Sequence, residues 1–90
     1  MLTVILDGQA MVSRRMAHET LSTALNLPEH YGRNLDALYD CLTTYSTPVA
    51  IILENVQAML AALGRYGVRL LTVLYDAAEE NPNLVFSVAP

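Results

Sequence analysis

Two aspartates four residues apart, Asp36 and Asp40, stand in the stretch Leu27–Thr43, which reads Leu-Pro-Glu-His-Tyr-Gly-Arg-Asn-Leu-Asp-Ala-Leu-Tyr-Asp-Cys-Leu-Thr. On a helix this spacing stacks both carboxylates on one exposed face, a like-charge pair that weakens an isolated helix by roughly 0.2–0.5 kcal/mol. Acid/base catalysis would need surroundings that push the two pKa values apart, and no apolar pocket is evident beside them. A metal site would want histidine or further acids at ligand spacing, whereas His18 and His30 are far apart with no partner motif. The chain carries no Gly-rich phosphate loop and no Gly-x-Ser-x-Gly. Cys41 falls opposite the acidic face and reads as a small buried hydrophobe rather than a nucleophile. The reading is a non-enzyme without metal or cofactor, and the question becomes what cation the two acids await.

Local signals position the pair. Pro28 disfavours helix before it, and Gly32 permits a positive φ in the loop. Asn34 sits where an N-cap belongs. Leu35, Leu38 and Leu42 form one apolar stripe at i, i+3, i+7, with Asp36, Asp40 and Thr43 on the opposite side and Tyr39 at the boundary. Each acid also has a plain explanation. Asp36 lies in the first turn, where the helix dipole favours a carboxylate by roughly 0.3–1 kcal/mol. Asp40 has no such support and no local cation other than Arg33; a solvated surface acid is its ordinary reading. His30, Tyr31, Tyr39 and Tyr45 surround the acids, and loop tyrosines serve either as half-buried packing or as interface anchors.

The rest of the chain alternates strand and helix. Leu2–Leu6 is a strand ended by Asp7-Gly8, and Ser13 caps a helix to about Leu25 with Ala17, Leu21, Ala24 and Leu25 inward. Val49–Leu53, after Pro48, is a continuous apolar run and reads as a well-buried strand. Asn55 caps a helix bearing Val56, Met59, Leu60 and Leu63, with Gly64 as its stop. Arg65–Glu80 holds many strand formers, yet Leu70, Leu71, Leu74 and Ala78 keep a helical period, so helix is expected up to Asn81-Pro82. Leu84–Val88 is the last strand. Strands separated by helices imply crossovers and hence a small parallel sheet in an α/β domain spanning 1–90.

Composition bounds the function. With 53% hydrophobic and 16% charged residues the chain is globular. No apolar run approaches the ~20 residues of a membrane span. Met1–Leu6 has no basic flank and reads as a strand, not a signal peptide. One cysteine excludes an internal disulfide and suits a reducing, cytoplasmic setting. Nine acids against five arginines and no lysine give a net charge of −4. That balance disfavours nucleic acid and anionic membrane as partners and favours a basic one.

The run Leu27–Thr43 resembles, without a gap, the signature of the barstar family of ribonuclease inhibitors, and the element order fits along the whole chain. The resemblance implies an α/β fold with three parallel strands packed by about four helices. It implies a cytoplasmic inhibitor, monomeric when free, that blocks one small basic microbial ribonuclease by placing carboxylates where RNA phosphates would lie. Asp40 would enter the enzyme's active-site cations, with Asp36 and Asp76 pairing at the rim; Asp76 alone would otherwise be a solvated carboxylate near a helix end. His30, Tyr31, Gly32 and Asn34 would shape the covering loop, and Tyr39, Thr43 and Tyr45 would complete the contact face. Arg33 departs from a frequent acid, Tyr39 and Tyr45 stand where tryptophan can occur, and His30 where an aromatic is common. The alternative is an orphan interaction module of the same fold, or an immunity protein for a different toxin.

Overall fold

The computed structural model describes all 90 residues. Three parallel strands, β1 (Leu2–Asp7), β2 (Val49–Glu54) and β3 (Leu84–Val88), form one sheet in the order β1-β2-β3. The chain crosses from β1 to β2 through α1 (Arg14–Leu25) and α2 (Leu35–Thr43), and from β2 to β3 through α3 (Val56–Leu63) and α4 (Arg65–Glu80). The expected α/β architecture is therefore present, including helix across Arg65–Glu80 despite its strand formers. There Leu70, Leu74 and Ala77 turn inward with Gly67, and a 3.6-residue period prevails over local propensity.

Side-chain alternation decides which face of the sheet is covered. Val4 and Leu6, then Val49, Ile51 and Leu53, then Leu84 and Phe86 are buried beneath the helices. The intervening row Thr3, Ala50 and Val85 and the row Ile5, Ile52 and Ser87 form the opposite face. Ile5 and Val85 are exposed there, while Ala50 and Ile52 are half-buried only because their strand is central. The continuous apolar run of β2 is thus covered on one face rather than two.

The core holds 21 buried apolar residues, among them Leu21, Leu25, Leu38, Leu42, Leu70 and Leu74 from the three main helices. Truncating any such leucine to alanine costs about 2–5 kcal/mol. In α1 Ala17, Leu21 and Leu25 are buried and Ala24 is only partly so; in α3 Val56 and Met59 are buried while Leu60 and Leu63 lie at the margin.

Two local expectations are corrected. The positive φ before α2 belongs to Arg33 (52°), not Gly32, because the turn of the chain falls one residue later, against the N-cap. Asn55 does precede α3, but its backbone is left-handed (φ 54°) and its side chain makes no cap bond. Its Nδ2 instead donates to Asp7 Oδ1 at 2.9 Å, tying the ends of β1 and β2 together. That bond, with a second from the Gln9 backbone N–H, holds the Asp7 carboxyl below the usual carboxylate range.

The same junction leaves no room at Gly8, where an added Cβ would lie 2.2 Å from the Asn55 carbonyl oxygen. The neighbour is backbone at the end of the central strand, so it cannot simply rotate away. Gly8→Ala is expected to lose roughly 1–3 kcal/mol, the range for overpacking. An unchanged urea midpoint for this variant would contradict the close approach.

Candidate partner-binding face

The segment from α1 to the end of α2 is fixed by a chain of backbone devices. α1 ends on Asn26 in the left-handed region (φ 51°), and Leu27 N–H closes onto the Ser22 carbonyl at 3.0 Å. Tyr31 N–H donates to the Pro28 carbonyl at 2.9 Å, bending the loop inward. Asn34 caps α2 as expected, its Oδ1 accepting from Ala37 N–H at 2.8 Å, while its Nδ2 donates to the Gly32 carbonyl at 3.2 Å.

Two buried polar side chains hold this segment at its ends, and neither was visible as a functional signal in the sequence. His18 of α1 is 1% exposed. Its Nδ1 bonds the Tyr31 hydroxyl and its Nε2 the Tyr66 hydroxyl of α4, the latter at 2.7 Å. A neutral imidazole has one donor and one acceptor nitrogen, so one tyrosine hydroxyl donates and the other accepts. At the far end Asn81, just past α4, donates through Nδ2 to the carbonyls of Leu42 and Tyr45, both at 2.9 Å. Leu42 lies in the last turn of α2, where carbonyls lack intrahelical donors, and Tyr45 lies just past the helix.

On this frame Asp36 and Asp40 are exposed, and neither carboxylate has a hydrogen-bond or ion-pair partner within the chain. Arg33 does not neutralise them, since its Nε is paired with Glu19 Oε1 at 3.1 Å. Tyr39 and Thr43 are half-buried beside the acids; the Thr43 hydroxyl donates to the Tyr39 carbonyl at 2.9 Å and keeps its lone pairs as acceptors. His30 and Gly32 are exposed in the loop.

Helical spacing brings Asp76 alongside. Tyr66, Arg69, Val73, Asp76 and Glu80 follow one another at three or four residues and share one flank of α4. Tyr66 and Arg69 border a cleft that also includes Asn34, Leu35 and Asp36, so this flank is the one turned toward α2. Glu80 joins the flank one turn beyond Asp76, a position the sequence reading did not single out. The other flank of α4 carries Tyr75, stacked edge-on against Phe86 of β3 at 4.8 Å.

Tyr31 and Cys41 sit differently from expectation, and Tyr45 makes a tie that the sequence did not show. Tyr31 is 4% exposed with its hydroxyl taken by His18, so its ring belongs to the core and supports the loop from beneath. Tyr45 is half-buried and its hydroxyl donates to the Leu25 carbonyl at 3.1 Å, a tie between α1 and the end of α2. Cys41 is partly exposed rather than buried. At 100° per residue it falls about 90° from the centre of the leucine stripe, on the flank of α2 facing Leu25–Pro28. Burial, and secondarily the adjacent Asp40 carboxylate, push its thiol above the ordinary value. No three of the His, Cys, Asp and Glu side chains converge as a metal site would require.

The Cys41 environment predicts slow alkylation at neutral pH, since the thiolate is the reactive form. Modification by iodoacetamide at the rate of a free cysteine would contradict it. For His18, burial first and the Arg33 guanidinium second hold the imidazole below its ordinary value. The resulting stabilisation is complete above the unfolded-state value near ~6.5 and is lost as pH falls through the lower folded-state value. Wild type should therefore lose stability as pH falls below about 6.5, and His18→Gln, which cannot protonate, should show a smaller loss. Tyr31→Phe and Tyr66→Phe should each cost about 1–3 kcal/mol by leaving one ring nitrogen unpaired. Equal pH slopes for wild type and His18→Gln in chemical unfolding would remove His18 as the titrating group.

Comparison with known proteins completes the picture. The profile of the family described as Barstar (barnase inhibitor) matches residues 1–89. A Bacillus subtilis (strain 168) protein named "Putative ribonuclease inhibitor YrdF" is 38% identical over 81 residues, covering 89% of this chain and 89% of the relative. With a match along almost its entire length and a strand order and helix order that agree with the expectation drawn from Leu27–Thr43, the chain belongs to the barstar family.

Proposed function

We propose that this protein inhibits a small, basic ribonuclease by laying α2 and the preceding loop across the enzyme's RNA-binding site. The observation that carries the reading is the pair of exposed carboxylates, Asp36 and Asp40, left without any partner on a helix anchored at both ends. A ribonuclease must present cations where RNA phosphates bind, and such cations are what these carboxylates lack. Family membership and the inhibitor name borne by the Bacillus relative support the same reading.

Asp40 points directly away from the leucine stripe and takes the central role, among the active-site cations. Asp36 and Asp76 pair with cations at either side. His30 and Gly32 supply the outer surface of the loop, and Asn34 and Tyr31 hold its shape from within. Tyr39 and Thr43 form the contact surface between the acids, with Tyr45 steadying the end of α2. The work is binding and not turnover, so no cofactor is required. The complex is one-to-one, the free inhibitor is a monomer, and the setting is the cytoplasm of a cell protecting itself from its own secreted enzyme. Long-range attraction between the acidic face and a basic enzyme speeds encounter, most at low salt.

A second reading, an immunity protein directed at a different toxin, is favoured by one observation: Arg33 and its cationic neighbours stand beside the acids. Inhibition of RNA cleavage by proteins retained from the native source separates the two.

If Asp40 replaces a phosphate, Asp40→Ala leaves the enzyme's cations desolvated and unpaired. The expected loss is about 2–5 kcal/mol, expressed as faster dissociation; the barnase–barstar pair is itself the source of that scale, which is borrowed for this family member. Glu29→Ala should alter association rate and salt dependence while leaving dissociation nearly unchanged, and Asp36→Ala should fall between, partly offset by relief of its repulsion with Asp40. Rate constants for the three variants at low and high salt provide the check. Binding by Asp40→Ala within about threefold of wild type, under ~0.7 kcal/mol, would refute the phosphate-mimic mechanism.

A further inference from the structure

We propose that the cleft ringed by Arg14, Arg33 and Arg69 at the start of α2 receives an acidic side chain of the protein partner, so that recognition requires a carboxylate beside the cations that meet Asp36 and Asp40. The proposal rests on the inhibitor reading for the identity of the partner, while the cleft itself stands on its own geometry. It encloses about 330 Å³ and gathers three of the chain's five cations, although the protein carries a net charge of −4. Tyr66, Leu35, Asn34 and Asp36 complete its lining.

All three arginines have donors to spare, and two of them are held in place. The Arg14 guanidinium lies over the Tyr66 ring, 4.3 Å from the centroid, which fixes its plane and leaves its edge for an acceptor. Tyr66 is itself fixed by His18. Arg33 meets Glu19 through Nε alone, so its terminal nitrogens are not used by that pair. Arg69 has no carboxylate within 4.0 Å, and neither has Arg14. Asp36 does not serve as their counter-ion either, since it forms no ion pair at that distance.

The commitment to a partner's side chain follows from where the cleft lies. It shares Asp36 with the acidic face, so any folded protein that covers Asp36 also takes the cleft out of water. Guanidinium groups desolvated without an acceptor weaken a complex, whereas a planar carboxylate matches their fork of donors. A carboxylate carried on the same rigid surface as the cations opposite Asp40 arrives without a separate loss of translational freedom. An isolated carboxylate binds more weakly for want of that advantage but still fits the fork of donors, whereas a free dianion meets stronger repulsion from Asp36 in the lining. The binding face is therefore a mosaic of two signs: acids along α2 for the partner's cations, arginines beside them for a partner acid. A ribonuclease bearing a neutral or basic residue at that point is rejected.

The test has two arms on the full chain. In the first, the arginine Nε–Hε signals of isotopically labelled protein are followed at low salt during titration with acetyl-Gly-Asp-Gly-amide, its Asn counterpart, and inorganic phosphate. Saturable shifts of Arg14, Arg33 and Arg69 with the Asp peptide, absent with the Asn peptide and absent in Arg69→Gln, are expected. No response, or a response to phosphate alone, overturns the proposal. In the second, affinity is measured against the ribonuclease retained by the wild-type chain. Arg69→Glu should weaken binding about tenfold or more, with recovery when the partner's facing acid is changed to arginine. Binding by Arg69→Glu within threefold, while Asp40→Ala binds poorly, sinks the cleft alone; Asp40→Ala binding normally sinks the inhibitor reading. If no ribonuclease is retained, that reading fails and the peptide titration still decides whether the cleft takes a carboxylate.

Discussion

A buried imidazole must have both ring nitrogens satisfied, and His18 meets that requirement with two hydroxyls drawn from different parts of the chain. The arrangement joins α1, the loop before α2, and the first turn of α4 at one point. Leaving either nitrogen unpaired in the core would cost on the order of 1–3 kcal/mol, so the three elements are held in one relative position. Asn81 performs the matching task at the other end of α2, donating to the Leu42 carbonyl of its last turn and to the Tyr45 carbonyl just beyond. These two are the polar side chains counted in the core beyond the tyrosine, and both serve the placement of one nine-residue helix. A surface held this way loses little further freedom on binding, which conserves affinity for the contacts themselves.

Against that rigidity stands an unfavourable charge distribution. Asp36 and Asp40 repel one another, and only Asp36 gains from the helix N-terminus. Burial of Leu35, Leu38 and Leu42 far outweighs the repulsion, so the core can carry a helix whose outer face is poorly served by its own chain. The arginines lie close by but are engaged elsewhere, with Glu19 or the Tyr66 ring, or are left free. The result is separation of charge across one face instead of mutual neutralisation.

Much of this was legible in the linear chain. The Asn34 cap, the leucine stripe of α2, the stop at Gly64 and the helical period of Arg65–Glu80 all depend on neighbours within a turn or two. The alternation of strand and helix pointed to the parallel sheet, and the family resemblance of Leu27–Thr43 implied the same layout. What escaped was long-range and polar. His18 and Tyr66 are separated by 48 residues, and Asn81 and Leu42 by 39, so neither pairing leaves a local pattern. Tyr31 looked like an interface aromatic because its type cannot distinguish a ring facing out from one facing His18. Asn55 shows the same limit: an N-cap residue type stood at an N-cap position, yet its amide was recruited by Asp7 across the sheet. Cys41 was misplaced by a smaller error, since a position a quarter-turn from the stripe is neither inside nor opposite.

The strand order has a temporal side. Leu2 pairs with Val49 and Val49 with Leu84, so no strand has a partner near it in the chain, and no hairpin can start the sheet. Helices can form from local contacts as the polypeptide emerges from the ribosome, but each strand pairing must first close a long loop. Because Tyr66 and Asn81 both lie beyond β2, a nascent chain that has already displayed Asp36 and Asp40 still lacks both of the anchors that orient them. The acidic helix is thus synthesised before its anchors and set in place after them, and its placement waits on residues that follow β2 rather than on its own sequence.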